Sequence, residues 1–211
     1  MSAGDAMFEE TATGILRLVF GRPAGRTEGA IFLDRDGVIN RRIVGGYVTR
    51  WSEFEFLPRA IDGIVALESI HAPIIVISNQ AGVGKGLVTV ENLGDTTGRL
   101  VAAVRERGGR IDAVYYCPHA PSAGCTCRKP KPGLLLQAAS DWGIDLRSSL
   151  FVGDSPSDVA AARAVGAQPV LITGVVVQQH PLDLNAVPVA ADLVEAAPIV
   201  TSLREQLLDR A

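Results

Sequence analysis

Short apolar runs rich in β-branched residues alternate with longer helical patterns along most of this 211-residue chain. This alternation constrains the fold more than any other feature of the sequence. Strands that are apolar throughout are buried on both faces, and the helices between them can provide two covering layers. The pattern predicts an α/β fold, a three-layer sandwich with a central parallel sheet. The predicted strands are Ala30–Leu33, Ile74–Ile77, Ile111–Tyr116, Leu150–Val152 and Pro169–Ile172.

The segments between the predicted strands have helical spacing, and prolines open some of them while glycines close others. A terminal helix that packs back on the fold is expected at Ile199–Leu208. The four internal helices are predicted at Pro58–Ile70, Val90–Glu106, Pro132–Trp142 and Ser157–Val165.

The length of the chain favours one domain over residues 1–211. Its predicted parts are a regular core at about 30–175, an N-terminal extension at 1–29 and a C-terminal tail at 176–211. The composition, 47% hydrophobic and 20% charged, is that of an ordinary globular protein.

The net charge of −3 argues against nucleic-acid or anionic-membrane partners, because either would need a basic face. The acidic N-terminus lacks the basic and apolar segments of a secretion signal. No stretch approaches the about 18–20 apolar residues of a membrane span. We therefore expect a cytoplasmic protein. We also expect it to be a monomer.

Two aspartates follow the first predicted strand, in the sequence FLDRDGVIN. Side chains two positions apart in an extended segment point the same way, so Asp34 and Asp36 should project together beyond the carboxyl end of the strand. Open α/β sheets bind their ligands at that edge. The alternative is that both aspartates only cap a turn before Gly37, since Asp and Gly are common in turns.

The second predicted strand ends in SNQAGVGKG, which brings the Ser78 hydroxyl and the Asn79 amide to the same edge. The glycines that follow leave backbone N–H groups accessible, and such a turn suits a phosphate group. The alternative is a polar loop that binds nothing. The segment does not match the GxxxxGK[ST] phosphate loop, because Lys85 is followed by Gly86.

A third strand end carries GDSPSD, with Asp154 beyond the strand and Asp158 near the start of the next helix. Helix capping is the alternative role for Asp158. If the strand ends converge, Asp34, Asp36 and Asp154 share one cleft, where their carboxylates would repel one another strongly. A hard divalent cation removes this repulsion, and Mg²⁺ typically takes one or two carboxylates together with phosphate oxygens.

With these motifs in order, the sequence resembles the haloacid dehalogenase (HAD) superfamily of phosphotransferases. DRDGV at 34–38 is similar to the first motif of that superfamily and Ser78 with Asn79 to the second. Lys129 is similar to the third motif and GDSPSD at 153–158 to the fourth. The resemblance implies a Rossmann-like, HAD-like fold.

The resemblance also implies a mechanism for phosphate-ester hydrolysis. Asp34 is the nucleophile that forms an aspartyl-phosphate, and Asp36 acts first as general acid and then as general base. Mg²⁺ is held by Asp34, Asp36 through its carbonyl oxygen, and Asp154, with Asp158 just outside the ligand set. The implied phosphoryl contacts are Ser78 and Lys129, and the implied substrate contacts are Asn79, Gln80, Arg128, Gly46 and Tyr47.

All three cysteines lie within CPHAPSAGCTC at residues 117–127. A disulfide framework is a poor interpretation, because three cysteines cannot all pair and two are only two residues apart. Ordinary buried cysteines are the other alternative, although a proline-rich turn offers no core. The pattern favours a closed, structural Zn²⁺ site with the ligands Cys117, His119, Cys125 and Cys127.

The zinc loop is similar to that of a capless branch of the HAD superfamily, which includes heptose bisphosphate and histidinol-phosphate phosphatases. No long insertion follows DRDGVIN or separates the second and third motifs, which fits a capless site. GGYV at 45–48 and FEFLPRAIDGI at 54–64 are similar to the heptose enzymes. Two departures are the segment RRIVGG at 41–46, longer than expected, and Ser155, where a lysine is often found.

The resemblance to the heptose enzymes implies a sugar bisphosphate substrate that loses its 7-phosphate, in nucleotide-activated heptose synthesis for surface polysaccharide. Arg128 would contact the distal phosphate, since a guanidinium can bind it in a bidentate manner. Histidinol phosphate or another small sugar phosphate is the alternative substrate. A non-catalytic, zinc-stabilised binding module is an alternative of a different class.

Overall fold

The computed structural model describes residues 7–21, 28–173 and 187–209, and these residues form one mostly parallel sheet between two layers of helices. The predicted α/β sandwich is confirmed. The strands are β1 Glu9–Glu10, β2 Leu16–Val19, β3 Ile31–Leu33, β4 Ile74–Asn79, β5 Ala113–Cys117, β6 Leu150–Gly153, β7 Gln168–Ile172 and β8 Val189–Ala190. The helices are α1 Ala60–Leu67, α2 Ala81–Gly84, α3 Val90–Glu106, α4 Gly133–Trp142, α5 Pro156–Arg163 and α6 Leu193–Leu208.

The eight strands lie in the order β1-β2-β5-β4-β3-β6-β7-β8. The strands from β5 to β8 in this order are parallel, whereas β1 and β2 form an antiparallel edge. No helix in these described residues is both long and apolar enough to span a lipid bilayer.

Alternate side chains of the central strands enter two separate cores, one on each face of the sheet. In β3, Ile31 and Leu33 belong to the core that is covered by α1, α3 and α6. Phe32 points to the opposite core, which α4 and α5 cover. All three side chains are fully buried, so β3 has no face toward water and its apolar sequence follows from its position.

The strand register brings the sequence motifs to one edge. Leu33 pairs with Val76 in β4 and with Val152 in β6, so Asp34 leaves the sheet between these two strands. Asn79 pairs with Cys117, which places the cysteine-rich loop beside the end of β4. The carboxyl ends of β3, β4, β5 and β6 therefore share one edge, as expected for ligand sites in open parallel sheets.

Some of the predicted elements need correction. The predicted helix Pro58–Ile70 is α1 followed by a 3₁₀ turn at Glu68–Ile70, and it does not include Pro58. The predicted terminal helix Ile199–Leu208 begins earlier, at Leu193. The antiparallel strand β2 was not predicted. Within the predicted extension and tail, residues 1–6, 22–27, 174–186 and 210–211 lie outside the described part of the chain.

Candidate functional site

Lys129 connects the first, third and fourth motifs through a buried ion-pair network. Its Nζ lies 2.9 Å from Asp34 Oδ1 and 2.7 Å from Asp158 Oδ1. The same nitrogen donates a hydrogen bond of 3.1 Å to the Ile77 carbonyl oxygen at the end of β4. All three charged side chains are buried. Buried charges need such partners, because an uncompensated one is costly.

The backbone of Lys129 is fixed by Asn79, the second residue of the SNQ motif. The Lys129 N–H donates to Asn79 Oδ1 at 3.0 Å, and Asn79 Nδ2 donates to the Lys129 carbonyl oxygen at 3.1 Å. This reciprocal pair holds the third motif against the end of β4. Asn79 therefore positions Lys129 and also lines the site.

The Asp34 carboxylate is held by two donors on the same oxygen. Oδ1 accepts the Arg35 backbone N–H at 2.7 Å in addition to the Lys129 contact. In the part of the chain that the structure describes, no hydrogen bond to Oδ2 is found. Burial raises the pKa of Asp34, while the Lys129 ammonium opposes that rise. The site thus presents one restrained and one free carboxylate oxygen.

Three donors surround the Asp36 carboxylate. Arg35 Nη2 lies 2.9 Å from both of its oxygens, Asn40 Nδ2 donates to Oδ1 at 2.9 Å, and Gln80 Nε2 donates to Oδ2 at 2.8 Å. Burial alone would raise the pKa of Asp36, but Arg35 and the two amides outweigh it and lower that pKa. Gln80 also donates to Ser78 Oγ at 3.2 Å. Its predicted contact with substrate stays a prediction.

Asp158 is occupied by structural contacts. Its Oδ2 accepts the backbone N–H groups of Asp154 at 3.2 Å and Ser155 at 3.0 Å, and also the Ser155 hydroxyl at 2.7 Å. Ser155 and Asp158 form a capping box at the start of α5. Because its other oxygen pairs with Lys129, Asp158 has little capacity left for a metal ion.

The donor set at this edge fits magnesium. Carboxylate oxygens of Asp34, Asp154 and Asp158 lie within 4.8 Å of one another, and hard oxygen ligands are those that Mg²⁺ prefers. Burial and the Asp34 carboxylate raise the pKa of Asp154 to about 7. A cation bound between the two carboxylates would relieve the repulsion between them. A Cβ on Gly37 would overlap Asp154 Oδ2, so this position must lack a side chain.

Arg42, which was not among the predicted site residues, contacts two residues of the proposed magnesium site. Its Nη2 lies 2.7 Å from Asp154 Oδ1 and 3.3 Å from the Asp36 carbonyl oxygen. Arg42 belongs to the exposed segment at 41–46 that follows the first motif. The segment at 41–46, which is longer than the resemblance leads us to expect, therefore brings a second cation to the site in addition to Lys129.

A cavity of about 280 Å³ opens above these groups. Both Gly46 and Tyr47, predicted to contact substrate, line it. Arg128 lines it as well, and its buried Nη1 has no hydrogen-bond partner among the described residues. The remaining lining residues are Asp34, Asp36, Arg42, Ile43, Ser78, Asn79, Lys129, Ser155 and Ser157.

The four predicted zinc ligands converge in the loop after β5. Cys117 Sγ lies 3.5 Å from His119 Nδ1 and 3.6 Å from Cys125 Sγ. Cys127 Sγ lies 3.2 Å from His119 Nδ1 and 3.6 Å from Cys125 Sγ. A tetrahedron with ligands about 2.3 Å from its centre has edges of about 3.8 Å, close to these separations. The residues therefore fit a four-coordinate Zn²⁺ ion.

The contacts within the cluster shift the pKa values of two thiols in opposite directions. Hydrogen bonding from Cys127 lowers the pKa of Cys117 to about 5, whereas the same contact and burial raise the pKa of Cys127. Lys131 closes the loop from outside, since its Nζ donates to the carbonyl oxygens of Gly124 at 3.0 Å and Cys125 at 2.7 Å. Cys127 is buried in the core beneath α4, next in the chain to Arg128.

The structure thus brings all of the predicted metal and phosphoryl ligands to one edge and gathers the zinc ligands beside it. Sequence reasoning missed Arg35 and Asn40, which hold Asp36, and Arg42, which contacts Asp154. For Arg42 the available signal was charge, since two arginines follow the first motif at positions 41 and 42, but no pattern in the sequence marked Arg35 or Asn40 as a contact of Asp36.

Comparisons with known proteins agree with this geometry. A family model described as HAD-hydrolase-like matches residues 126–197. A D-glycero-β-D-manno-heptose-1,7-bisphosphate 7-phosphatase from Pseudomonas putida is 43% identical over 142 residues, which cover 67% of this chain and 81% of that protein. A D-glycero-α-D-manno-heptose-1,7-bisphosphate 7-phosphatase from Mycobacterium tuberculosis is 42% identical over 142 residues, which cover 65% and 73% respectively.

A solved structure is similar in fold as well as in sequence. It is a D,D-heptose 1,7-bisphosphate phosphatase from B. bronchiseptica complexed with magnesium and phosphate. Its TM-score against this chain is 0.71 at 30% identity, and the match covers 88% of this chain and 100% of the other.

Proposed function

Because the chain belongs to the heptose-1,7-bisphosphate 7-phosphatase family of HAD-like hydrolases, we propose that it removes the 7-phosphate of D-glycero-D-manno-heptose 1,7-bisphosphate. The chain is a phosphoric monoester hydrolase by this membership. The sugar bisphosphate is the proposed substrate, and the product is the corresponding heptose 1-phosphate with inorganic phosphate.

One observation carries the choice of a substrate with two phosphates. Arg128 and the Asp34–Lys129 pair line the same cavity, and Arg128 Nη1 is buried with no hydrogen-bond partner in the described part of the chain. A buried donor without a partner is costly, and a phosphate oxygen is a suitable acceptor for it. We assign the reacting phosphate to the Asp34 end and the distal phosphate to Arg128.

In the first step the free Oδ2 of Asp34 attacks phosphorus, and the bond between phosphorus and the sugar oxygen breaks. The restrained Oδ1 orients the carboxylate, because the Arg35 N–H and Lys129 Nζ both hold it. Lys129, Ser78 and Asn79 stabilise the transferring group. Asp36 gives a proton to the departing sugar oxygen. Arg35 and the two amides lower the pKa of Asp36 in the free protein, so the negative charge of the bound phosphate has to raise that pKa for the protonated form to be populated.

In the second step a water molecule attacks the aspartyl-phosphate, and Asp36 accepts the proton that the water loses. The Asp34–phosphorus bond breaks, inorganic phosphate leaves and the Asp34 carboxylate is restored. Asp36 can act at both steps because Arg35, Asn40 and Gln80 keep its side chain in one place.

We assign the magnesium ligands to Asp34, the Asp36 carbonyl oxygen and Asp154, and place Asp158 outside the set. When bound there, Mg²⁺ neutralises the carboxylates and the charge of the transferring phosphoryl group. We assign Zn²⁺ to Cys117, His119, Cys125 and Cys127, where it orders the loop that precedes Arg128 and Lys129.

The test is a comparison of phosphate release from both anomers of heptose 1,7-bisphosphate, histidinol phosphate and nucleotides, with Mg²⁺ present. We expect the highest kcat/KM for one of the two anomers, since family members are named for each. A higher kcat/KM for histidinol phosphate would overturn the proposed substrate but leave the phosphatase class intact.

The proposed nucleophile is tested by Asp34→Asn, which keeps the size of the side chain and removes its nucleophilic oxygen. We expect kcat to fall by about three orders of magnitude or more. Asp95→Asn is the matched control, because Asp95 is exposed on α3 and forms its ion pair with the exposed Arg99. Substantial phosphate release by Asp34→Asn would rule out Asp34 as the nucleophile.

A further inference from the structure

Arg42 contacts two of the three proposed magnesium ligands through a single atom. Its Nη2 lies 2.7 Å from Asp154 Oδ1 and 3.3 Å from the Asp36 carbonyl oxygen. We propose that Arg42 substitutes for the metal: it neutralises these oxygens in the metal-free protein, and Mg²⁺ must displace it in order to bind. This inference rests on the magnesium site of the proposed function.

Charge balance gives Arg42 this role. Lys129 is already committed to Asp34 and Asp158, at 2.9 and 2.7 Å. The Asp154 side chain is only 3% exposed, and Arg42 is the cation that forms an ion pair with it in the described part of the chain. A carboxylate this buried needs a positive partner when it is ionised. Without a metal ion, Arg42 provides that partner.

The two cations cannot share the site. Mg²⁺ requires its oxygen ligands at about 2.0–2.1 Å in near-octahedral geometry. A guanidinium nitrogen that already lies close to both Asp154 Oδ1 and the Asp36 carbonyl oxygen takes up the space beside those oxygens and adds a positive charge there. Binding of the metal and the Arg42 contact are therefore mutually exclusive.

The chain around Arg42 permits this exchange at low cost. Residues 41–46 are all exposed, and the Arg42 side chain is 45% exposed although it reaches a buried carboxylate. A Cβ on Gly45 would meet nothing within 4 Å, so the loop has open space beside it. The guanidinium can leave the carboxylate without disturbing any packed core.

Neighbouring Arg41 stays in place during such an exchange and provides an internal reference. Its guanidinium forms two hydrogen bonds to Glu55, at 2.8 and 3.0 Å, and its backbone N–H donates to the Glu55 carbonyl oxygen at 2.8 Å. Arg41 and Arg42 carry the same charge on the same loop, but the Arg41 guanidinium binds Glu55 and not a proposed metal ligand.

The first experiment measures binding of Mg²⁺ alone by isothermal titration calorimetry, on zinc-loaded protein dialysed free of magnesium. We expect Arg42→Gln to bind Mg²⁺ about fivefold more tightly than the wild type, because no cation has to leave. Arg41→Gln, which removes the same charge one residue away, should keep the wild-type affinity. Equal or weaker Mg²⁺ binding by Arg42→Gln would overturn the proposal.

The second experiment uses the wild-type chain and does not depend on the folding of a variant. Phenylglyoxal modifies accessible arginines, and peptide mass spectrometry reports labelling at each of them. Labelling of Arg42 should rise when Mg²⁺ saturates the site, while labelling of Arg41 stays constant. No rise at Arg42 on saturation would overturn the displacement.

The two proposals fail in distinguishable ways. If the wild type binds Mg²⁺ but neither the variant nor the labelling responds as expected, the role of Arg42 is wrong and the magnesium site stands. If calorimetry detects no Mg²⁺ binding to the wild type, the assigned magnesium site and the role of Arg42 both fall.

Discussion

Gly37 shows how one residue without a side chain creates room at the catalytic edge. It follows the two motif aspartates and adopts a φ of +96°, in the left-handed region that favours glycine. A Cβ at this position would also overlap Asp154 Oδ2. The residue therefore satisfies two separate requirements, one of backbone conformation and one of space for a proposed metal ligand.

The two requirements can be separated by substitution. Gly37→Ala should lower Mg²⁺ affinity by about 10- to 100-fold, because the new methyl group displaces the Asp154 carboxylate. Gly45→Ala is the matched control, since Gly45 also has a positive φ, +71°, but faces open space. It should lose only about 1 kcal/mol of folding free energy and keep its Mg²⁺ affinity. Calorimetric Mg²⁺ binding that is equal in the two variants would contradict this account.

At the scale of residues, the sequence predicted the groups that directly follow strands. Asp34 and Asp154 could be found because the strands before them are short, apolar and easy to recognise. Arg35 could not, because alternation along an extended segment directs it away from Asp36. The Arg35 side chain is long enough for its guanidinium to turn back and contact that carboxylate. The sequence pattern alone does not predict this contact.

At the scale of elements, the cysteine-rich loop links the end of β5 to the start of α4. Four metal-ligand side chains lie between Cys117 and Cys127, and Arg128 and Lys129 follow directly. Cys117 and Cys127 are buried in the core that α4 covers and Cys125 packs against it, whereas residues 118–124 between them are half-buried or exposed. We therefore expect the ligand cluster to order the exposed part of this loop and to help Asn79 hold the two cations that follow it.

Loss of one ligand should affect both zinc binding and catalysis. Cys125→Ser should reduce the zinc content from about one ion per chain, lower the free energy of unfolding by about 2 kcal/mol or more, and lower kcat through the displaced Lys129. Elemental analysis, thermal unfolding and phosphate release measure these three effects. The control is Ser122→Ala, an exposed position in the same loop.

A zinc-free Cys125→Ser protein with wild-type stability and wild-type kcat would contradict the structural role of the metal. If zinc content falls and stability falls but kcat does not, the loop is ordered by zinc and Lys129 is held independently by Asn79 and Asp158.

Capping residues mark the starts of α3 and α6, but only the start of α3 was predicted. Helix α3 was predicted with its observed ends, and Thr89 caps it by accepting the Asn92 N–H at 3.1 Å. Helix α6 begins earlier than predicted because Asp192 caps it in the same way, at 2.9 Å from the Glu195 N–H. Pro198 inside this helix concealed its first turns, since proline is rare in a helix interior.

Strand β2 was missed because its four residues carry little signal alone. Its position is explained by tertiary contacts: it pairs antiparallel with β5, and Arg17 reaches Asp141 at 2.6 Å. Asp141 also accepts the Tyr115 hydroxyl at 2.9 Å. A short strand that is held by partners far away in the chain cannot be recognised from its own sequence.

At the scale of the whole molecule, one sheet serves both cores. Successive residues of β3 alternate between the two faces, so unfolding of this strand would expose apolar side chains of both cores to water. This organisation is the physical reason to expect a single cooperative domain, which the length of the chain also favours. The two tryptophans of the chain lie in different layers, Trp51 against one core and Trp142 within the other.

Single-tryptophan variants test this cooperativity. Trp142→Phe keeps Trp51 as the fluorescent reporter of one face, and Trp51→Phe keeps Trp142 as the reporter of the other. In urea, the fluorescence midpoint of each variant should coincide with the midpoint of its own far-UV circular dichroism, because both cores share the strands.

The comparison is made within each variant, because the substitutions themselves change stability. Trp142→Phe removes the hydrogen bond of 3.0 Å from Nε1 to the Tyr115 hydroxyl, and it should unfold at lower urea than Trp51→Phe. That difference leaves the agreement between the two probes unaffected. If fluorescence and circular dichroism separated in either variant, one helical layer would unfold before the sheet, and the chain would contain two cooperative units.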